Sequence, residues 1–486
     1  MNKDNQGSNT SLKRQLSPMN VWALAFGCVI GWGSFINPGK KFLSNSGVAG
    51  TAIAMLMGAL VMVIIAFSYA YMVPKHPKAG GEFTFTKACF GKTAAFVCGW
   101  FLVAAYLTNV PMNSTAIGLI VDGLDGNADI LKFGFHYTIA DFEIYMGEML
   151  LAMLILLLFG YLNVIGVKKA AFVQTILSSL LVVCVFTLFV AALISSKAQG
   201  INLQPIWGFD KAAAMAANAT TAEIGQYAHQ GGSGIASAIL ATFAIAPWAY
   251  VGFDTIPQAA EEFNFSFKKV CFIMLVAITF GCFVYISNNT VAAAALENWP
   301  ERVMAGEWVV LVAATEMLGI FGKVLVGLGV SCAVLSGIMG FYLASSRLMY
   351  SMSRDGYLPK SFGKINTRYG TPTNAIIFCI IVSLSGPILG REALGWFVDM
   401  SAIGASIGFF FTSAATLVTI KRDGDGTPFL KIMAILGVTF SIIFMILQLI
   451  PIPGLNGVHF GNESYLMLVA WIVIGLVFYI KQRKFF

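Results

Sequence analysis

Two short stretches of this chain combine helix-breaking residues with groups able to hold a charged ligand. Gly31, Trp32, Gly33 and Ser34 lie inside a charge-free apolar segment running from Gln15 to Gly39. Ala246, Pro247, Trp248, Ala249, Tyr250, Val251 and Gly252 lie inside a second one, followed at once by Phe253 and Asp254. Glycine frees the backbone to leave helical geometry, and proline has no N–H for the preceding turn. A helix that resumes near Ser34 points unpaired N–H groups and a positive dipole end at the break, which suits a carboxylate. A helix that ends near Ala246 exposes carbonyls, which suit an ammonium. One zwitterion satisfies both, so Gly31, Trp32, Gly33, Ser34, Ala246, Trp248 and Ala249 are candidate binding residues. Close helix packing is the competing use of Gly31 and Gly33.

Four more polar residues sit in apolar segments. Asn109 and Asn113, one helical turn apart, present amides on one face, and Ser336 and Ser401 offer hydroxyls. Each serves either a substrate or ion contact or a hydrogen bond between helices. Asp254 and Asp399 are the ionisable groups well inside such segments, where a carboxylate is expensive enough to imply a function. Asp254, just after the second break, is the candidate coupling group, with helix capping as its alternative. Asp399, two turns from a segment end, reads as a structural or vestibule residue. His76, His136, His229 and His459 read as solvated loop residues, and the eight cysteines show neither a disulfide framework nor metal-ligand spacing. No metal or cofactor is expected. No nucleophile, base and orienting residue form a catalytic set, so the chain does not read as an enzyme.

The elements that must position these groups are membrane helices. Hydrophobic residues make up 58% of the chain and charged ones 11%, which no soluble surface allows. Predominantly apolar stretches long enough for a bilayer of about 30 Å fall at 17–43, 48–73, 94–121, 143–162, 168–195, 235–263, 268–296, 323–351, 373–389, 394–420, 429–450 and 464–481. The expectation is therefore an all-α membrane protein of twelve transmembrane helices with both termini on one side. That side holds 22 of the 30 Lys and Arg, from Lys3, Lys13 and Arg14 to Lys481, Arg483 and Lys484. It is expected to be the cytoplasm by the positive-inside rule. The other side is rich in acids, including Asp122, Asp141 and Glu307, so the net charge of +7 signals orientation and not nucleic-acid binding. The expected organisation is a tail at 1–16, one transmembrane domain at 17–481 and a tail at 482–486, with loops too short for a further core. No cleavable signal peptide is expected. Loop 301–322 has an amphipathic pattern suited to a surface helix over a vestibule.

Two polar connections carry a family resemblance. Pro77, Gly80, Gly81, Glu82, Phe83, Phe85 and Gly91 resemble the P-x-x-G-G-x-Y-x-Y-x-x-x-x-x-G signature of amino acid permeases, with Phe in place of Tyr. Ser346, Arg347, Tyr350, Arg354, Asp355, Gly356, Pro359, Thr371 and Pro372 resemble the same family's S-R-x-x-Y-x-x-x-R-D-G-x-x-P…T-P motif. With Gly31 to Phe35 and Gly252 to Asp254, they make the chain similar to the amino acid, polyamine and organocation (APC) superfamily over nearly its whole length.

The resemblance implies five-plus-five inverted repeats, at about 17–195 and 235–420, with broken helices 1 and 6 and with helices 11 and 12 (429–481) outside them. It implies a multi-pass protein of the cell membrane that moves its substrate by alternating access, with Trp248 as the aromatic that closes over the site from outside. It places Asp254 where members carry an acid, linked in some to proton-dependent transport. Two departures follow. The stretch from Ala170 to Ser195 lacks the basic residue that replaces a sodium ion in some members. Coupling therefore stays open between a proton, sodium held by oxygens near Cys28 or Val29 and Ser336, and uncoupled exchange. No cysteine lies between Val121 and Asp141, so a covalent accessory subunit is not expected. A site lacking basic residues favours a small neutral amino acid. The run from Gly252 to Glu262 also resembles the amine and ethanolamine branch, so an amine or polyamine permease is the alternative, beside an exchanger and a sensor that carries no flux.

Overall fold

The computed structural model describes residues 12–126, 128–139, 142–391, 393–452 and 459–482. Most of both expected tails, with Lys3, Asp141, Arg483 and Lys484, lies outside the described residues. Among the described residues, ten helical runs are long and apolar enough to cross a bilayer. They correspond to ten of the twelve expected segments, and the first and the ninth differ for local reasons.

The first segment begins sharply. Ser17 and Asn20 cap it reciprocally, Ser17 Oγ accepting from the Asn20 amide at 3.3 Å and Asn20 Oδ1 from the Ser17 amide at 3.1 Å. Pro18 follows at the first helical position, where no N–H is needed. The helix stops at Val29, because Ile30 is extended (φ −101°, ψ 92°), and resumes as Gly33–Asn37. A π-helical turn at Pro38–Phe42 leads into Leu43–Lys75. The chain thus turns a single expected span into a 12-residue helix and a half-helix fused to the next span. The ninth segment is divided into Thr373–Ser383 and Gly386–Leu389, where Pro387 cannot extend the preceding turn.

The sixth segment breaks twice. Gly231–Phe243 is followed by a single turn at Ala246–Ala249 and then by a 3-10 helix at Phe253–Glu262, which contains Pro257. The Gly81–Asp125 helix is longer than expected, because the residues of the first motif are themselves helical up to a kink at Gly91 (φ 78°). This helix and Ala393–Asp423 pack together along much of their length, with Ile320–Arg354 also against the former.

Two elements were not expected in this form. An antiparallel hairpin pairs His136–Ile139 with Phe142–Tyr145. The amphipathic stretch folds as Trp299–Met304 and Val309–Leu318, and it is no surface helix: Val309, Val310, Ala313 and Ala314 are buried. Trp308 at its start donates its indole N–H to the Phe35 carbonyl at 2.8 Å, tying it to the resumed half-helix. The outward faces of many helices are apolar and exposed, as at Leu193, Leu466 and Ile480.

Candidate functional site

The two breaks lie against each other. Gly252 has φ 140°, and a Cβ there would stand 2.5 Å from the Val29 amide nitrogen and 2.7 Å from Cys28 Cβ. Glycine is therefore required twice over, by backbone conformation and by the approach of one break to the other. A Cβ on Gly33 would collide with Cη2 of Trp248 and stand 3.1 Å from its Cζ3. The Trp32 and Trp248 rings meet with centroids 5.9 Å apart at 54°, and both are buried. The indole N–H of Trp32 has no hydrogen-bond partner.

The free backbone groups are displaced from where sequence reasoning put them. Ser34 closes a turn, its N–H and its hydroxyl both donating to the Gly31 carbonyl, at 3.3 and 3.0 Å. Phe35 and Ile36 donate to Trp32 at 3.0 and 3.1 Å. The N–H groups of Gly31 and Trp32, upstream of Ser34, donate to no backbone carbonyl. On the other break, helical bonding runs past Ala246, whose carbonyl accepts from Tyr250 at 3.0 Å. The carbonyls of Ala249, Tyr250 and Val251 accept no backbone N–H. The break thus exposes its acceptors about one turn later than Ala246.

The polar side chains sort into two groups. Asn113 faces the break: its Oδ1 is buried without a donor, and a Cβ on Gly31 would stand 3.6 Å from it. Its Nδ2 is held by the Asn109 carbonyl at 2.8 Å. Asn109 binds between helices, donating to Ser401 Oγ and to the Ala105 carbonyl, each at 2.6 Å. The Ser336 hydroxyl lies within donating reach of the Gly27 carbonyl at 3.2 Å and the Ala333 carbonyl at 3.0 Å, so it meets the first helix before the break. Asn288 was missed. It donates to the Ser34 carbonyl at 3.0 Å and leaves its own Oδ1 buried without a donor. The run Ser287, Asn288, Asn289 in an otherwise apolar helix was the available signal.

Asp254 is fully buried beneath the second break. Its Oδ1 accepts from the Gly252 amide at 2.7 Å, so the capping bond is made. Its Oδ2 accepts from the Tyr106 hydroxyl at 3.0 Å. The same hydroxyl stands 3.3 Å from Oε1 of Glu82, a second fully buried acid, which also accepts from Tyr69 at 2.7 Å and from Gln258. Sequence reasoning read Glu82 only as part of a motif. Asp399 accepts from Ser464 at 2.6 Å and lines a cavity of about 220 Å³ together with Lys41, Trp248, Gln448 and His459. Among the described residues no group of His, Cys, Asp and Glu is arranged to hold a metal.

A family model for amino acid permeases matches residues 16–478. The chain belongs to the amino acid permease family. It is thereby one of a family of membrane transporters and not of enzymes. This permease is 25% identical to the branched-chain amino acid permease BcaP of Bacillus subtilis, over 98% of this chain and 94% of that protein. It is 24% identical to the methylthioribose transporter of the same organism, over 99% and 95%. It is 25% identical to the human large neutral amino acids transporter small subunit 2, over 78% of this chain but 65% of the relative.

In this permease the two motifs form one interface. The Ala79 carbonyl accepts from Ser351 at 2.7 Å and from Thr84 at 3.0 Å, and Lys87 pairs with Asp355 at 2.8 Å. Arg347 grips Glu262 with two bonds of 3.0 Å, both side chains buried, while Arg354 holds Glu261 at 2.8 Å. The amides of Gln15 and Leu16 donate to the Glu262 carbonyl at 2.8 Å, strapping the start of the chain across the same end. His76 sits beside this interface half-buried, with Nε2 unpartnered, and is not the solvated residue that its loop position implied.

Proposed function

We propose that this permease carries a small neutral amino acid across the cell membrane by alternating access, coupled to a proton at Asp254. The observation that supports it best is the meeting of the two breaks. Unpaired N–H groups at Gly31 and Trp32 suit a carboxylate, and unpaired carbonyls from Ala249 to Val251 suit an ammonium. Asn113 and Asn288 add neutral acceptors, and no basic side chain enters the set. In this reading Gly31, Trp32, Gly33, Ser34, Ala246, Trp248 and Ala249 form the binding site, with Asn109 and Ser336 as its supporting shell. Trp248 closes over it from the side of the Asp399 cavity.

Twelve helices, two of them broken, form five-plus-five inverted repeats within a single domain at 17–481, with 1–16 and 482–486 as cytoplasmic tails. The basic residues at the end that carries the Arg347–Glu262 pair support that orientation. A cysteine replacing Lys360 in a cysteine-free background reacts with an impermeant thiol reagent only after the cells are opened. Reaction from outside intact cells overturns the orientation.

A second substrate reading comes from one relative. The methylthioribose transporter, matched over nearly its whole length, is named for a solute that is not an amino acid. Uptake into proteoliposomes of a panel of neutral and cationic amino acids, amines and methylthioribose, under imposed proton or sodium gradients, tests both readings. Proton-driven leucine uptake is the expected result. Flux of an amine or of methylthioribose alone overturns the neutral amino acid reading, and absence of any flux favours a sensor.

A further inference from the structure

We propose that Glu82 and Asp254 share one proton through the hydroxyl of Tyr106, making the coupling group a carboxyl pair. The inference deepens the proton-coupled reading of Asp254 and rests on it. Both acids are fully buried, and among the described residues neither forms an ion pair. Arg347, the arginine buried among the described residues, has its guanidinium committed to Glu262. The titratable groups that face the pair are Tyr69, Tyr106 and the thiols of Cys28 and Cys98, all neutral when protonated. Two carboxylates this close, with no cation to offset them, do not both ionise in a buried site.

The hydrogen bonds give an independent reason. Besides its contacts with the Asp254 carbonyl at 3.2 Å and Gln258 Nε2 at 3.3 Å, Tyr106, with one hydroxyl proton, has its oxygen 3.0 Å from Asp254 Oδ2 and 3.3 Å from Glu82 Oε1. It donates to one of them, and the other contact is a hydrogen bond only if that acid supplies the hydrogen. Gln258 points the same way: its Oε1 is buried without a donor while its Nε2 rests on Glu82. Turning that amide over lets it accept from Glu82 protonated on Oε2, the alternative to the Oε1 proton that meets Tyr106.

The transfer balances without any further reactant. Starting from Glu82 as the acid and Asp254 as the carboxylate, Tyr106 gives its proton to Asp254 while Glu82 gives its proton to Tyr106. One O–H bond breaks and one forms at each step, and the negative charge moves from Asp254 to Glu82. Glu82 lies on the motif segment that packs against Ser351 and Gln258. The pair therefore links the break to the end of the protein where the Arg347–Glu262 contact lies, and by the reverse transfer a proton bound at the break has a defined acceptor beyond it.

Infrared difference spectra of the purified full-length protein at neutral pH, wild type against Glu82→Gln and against Asp254→Asn, test the sharing. The expected result is a buried carboxylic acid C=O band that is lost or shifted in both variants. Tyr106→Phe keeps both acids and removes the bridge, and it too is expected to shift the band, which keeps the test decisive if Glu82→Gln does not fold. A band that survives unchanged in either acid variant, or no such band in the wild type, overturns the proposal. Failure of proton-driven uptake with the shared band intact instead overturns the coupling reading.

Discussion

The ring of Trp248 occupies the space that a side chain at position 33 would fill, so the absence of a side chain at Gly33 is what seats the ring. Gly31, two residues away, has room for a methyl group beneath Asn113. The two glycines of one break therefore do different work. Gly33→Ala is expected to push Trp248 off its seat and to weaken leucine binding by at least about tenfold, or about 1.4 kcal/mol. Gly31→Ala is expected to weaken it less, and Gly31→Val to abolish it by filling the approach to the free N–H groups. Ligand-induced thermal shifts on purified variants rank the three, and an equal effect of the two alanines contradicts the assignment.

Trp248 separates the break from the Asp399 cavity, so its removal is expected to prevent occlusion. Trp248→Ala should reduce transport strongly at matched expression, with a smaller loss of affinity, and Trp248→Phe should retain part of the flux. Equal flux in wild type and Trp248→Ala makes the ring a packing residue.

Gly252 has no tolerable replacement. A methyl group there meets the Val29 backbone, and φ 140° strains any other residue. Gly252→Ala is expected to destabilise the protein by about 3 kcal/mol or more, seen as a lowered melting temperature in detergent. A melting temperature equal to wild type refutes the close approach of the breaks.

The Arg347–Glu262 pair is buried on both sides. Arg347→Met alone leaves an uncompensated acid and is expected to destabilise by about 3–5 kcal/mol. The double variant with Glu262→Met removes both charges and should recover most of that loss. Thermal unfolding of the wild type, both singles and the double supplies the cycle, and additive losses contradict a direct pair.

His76 gives a pH dependence outside the membrane helices. Burial, helped by the positive charges of Arg422 and Lys78, holds its imidazole below the ordinary value of 6.5. The unfolded chain then takes up the proton first. The stability due to neutral His76 is present above about pH 6.5 and is lost as pH falls through the folded value. His76→Gln should flatten the melting temperature over that window, and an unchanged pH profile excludes the effect.

Much of this was legible before any coordinates. The positions of both breaks and the apolar segments follow from residues acting on their own turn of chain. Glycine, proline and a charge-free run carry the same consequence wherever the helix lies. The family motifs were legible for the same reason, as fixed spacings along the sequence. The tertiary structure decided which groups meet. Ser34 and Ala246 turned out to spend their polar groups on neighbouring turns, while Gly31 and Val251 kept theirs free. Asn288 reached the Ser34 carbonyl, and Glu82 came within reach of Tyr106 and Asp254. Those contacts depend on how each helix is rotated and how deeply it packs, and helical periodicity leaves several faces open to a polar residue in an apolar segment. Only the packed bundle selects one, because burial favours the rotation that gives most polar atoms a partner.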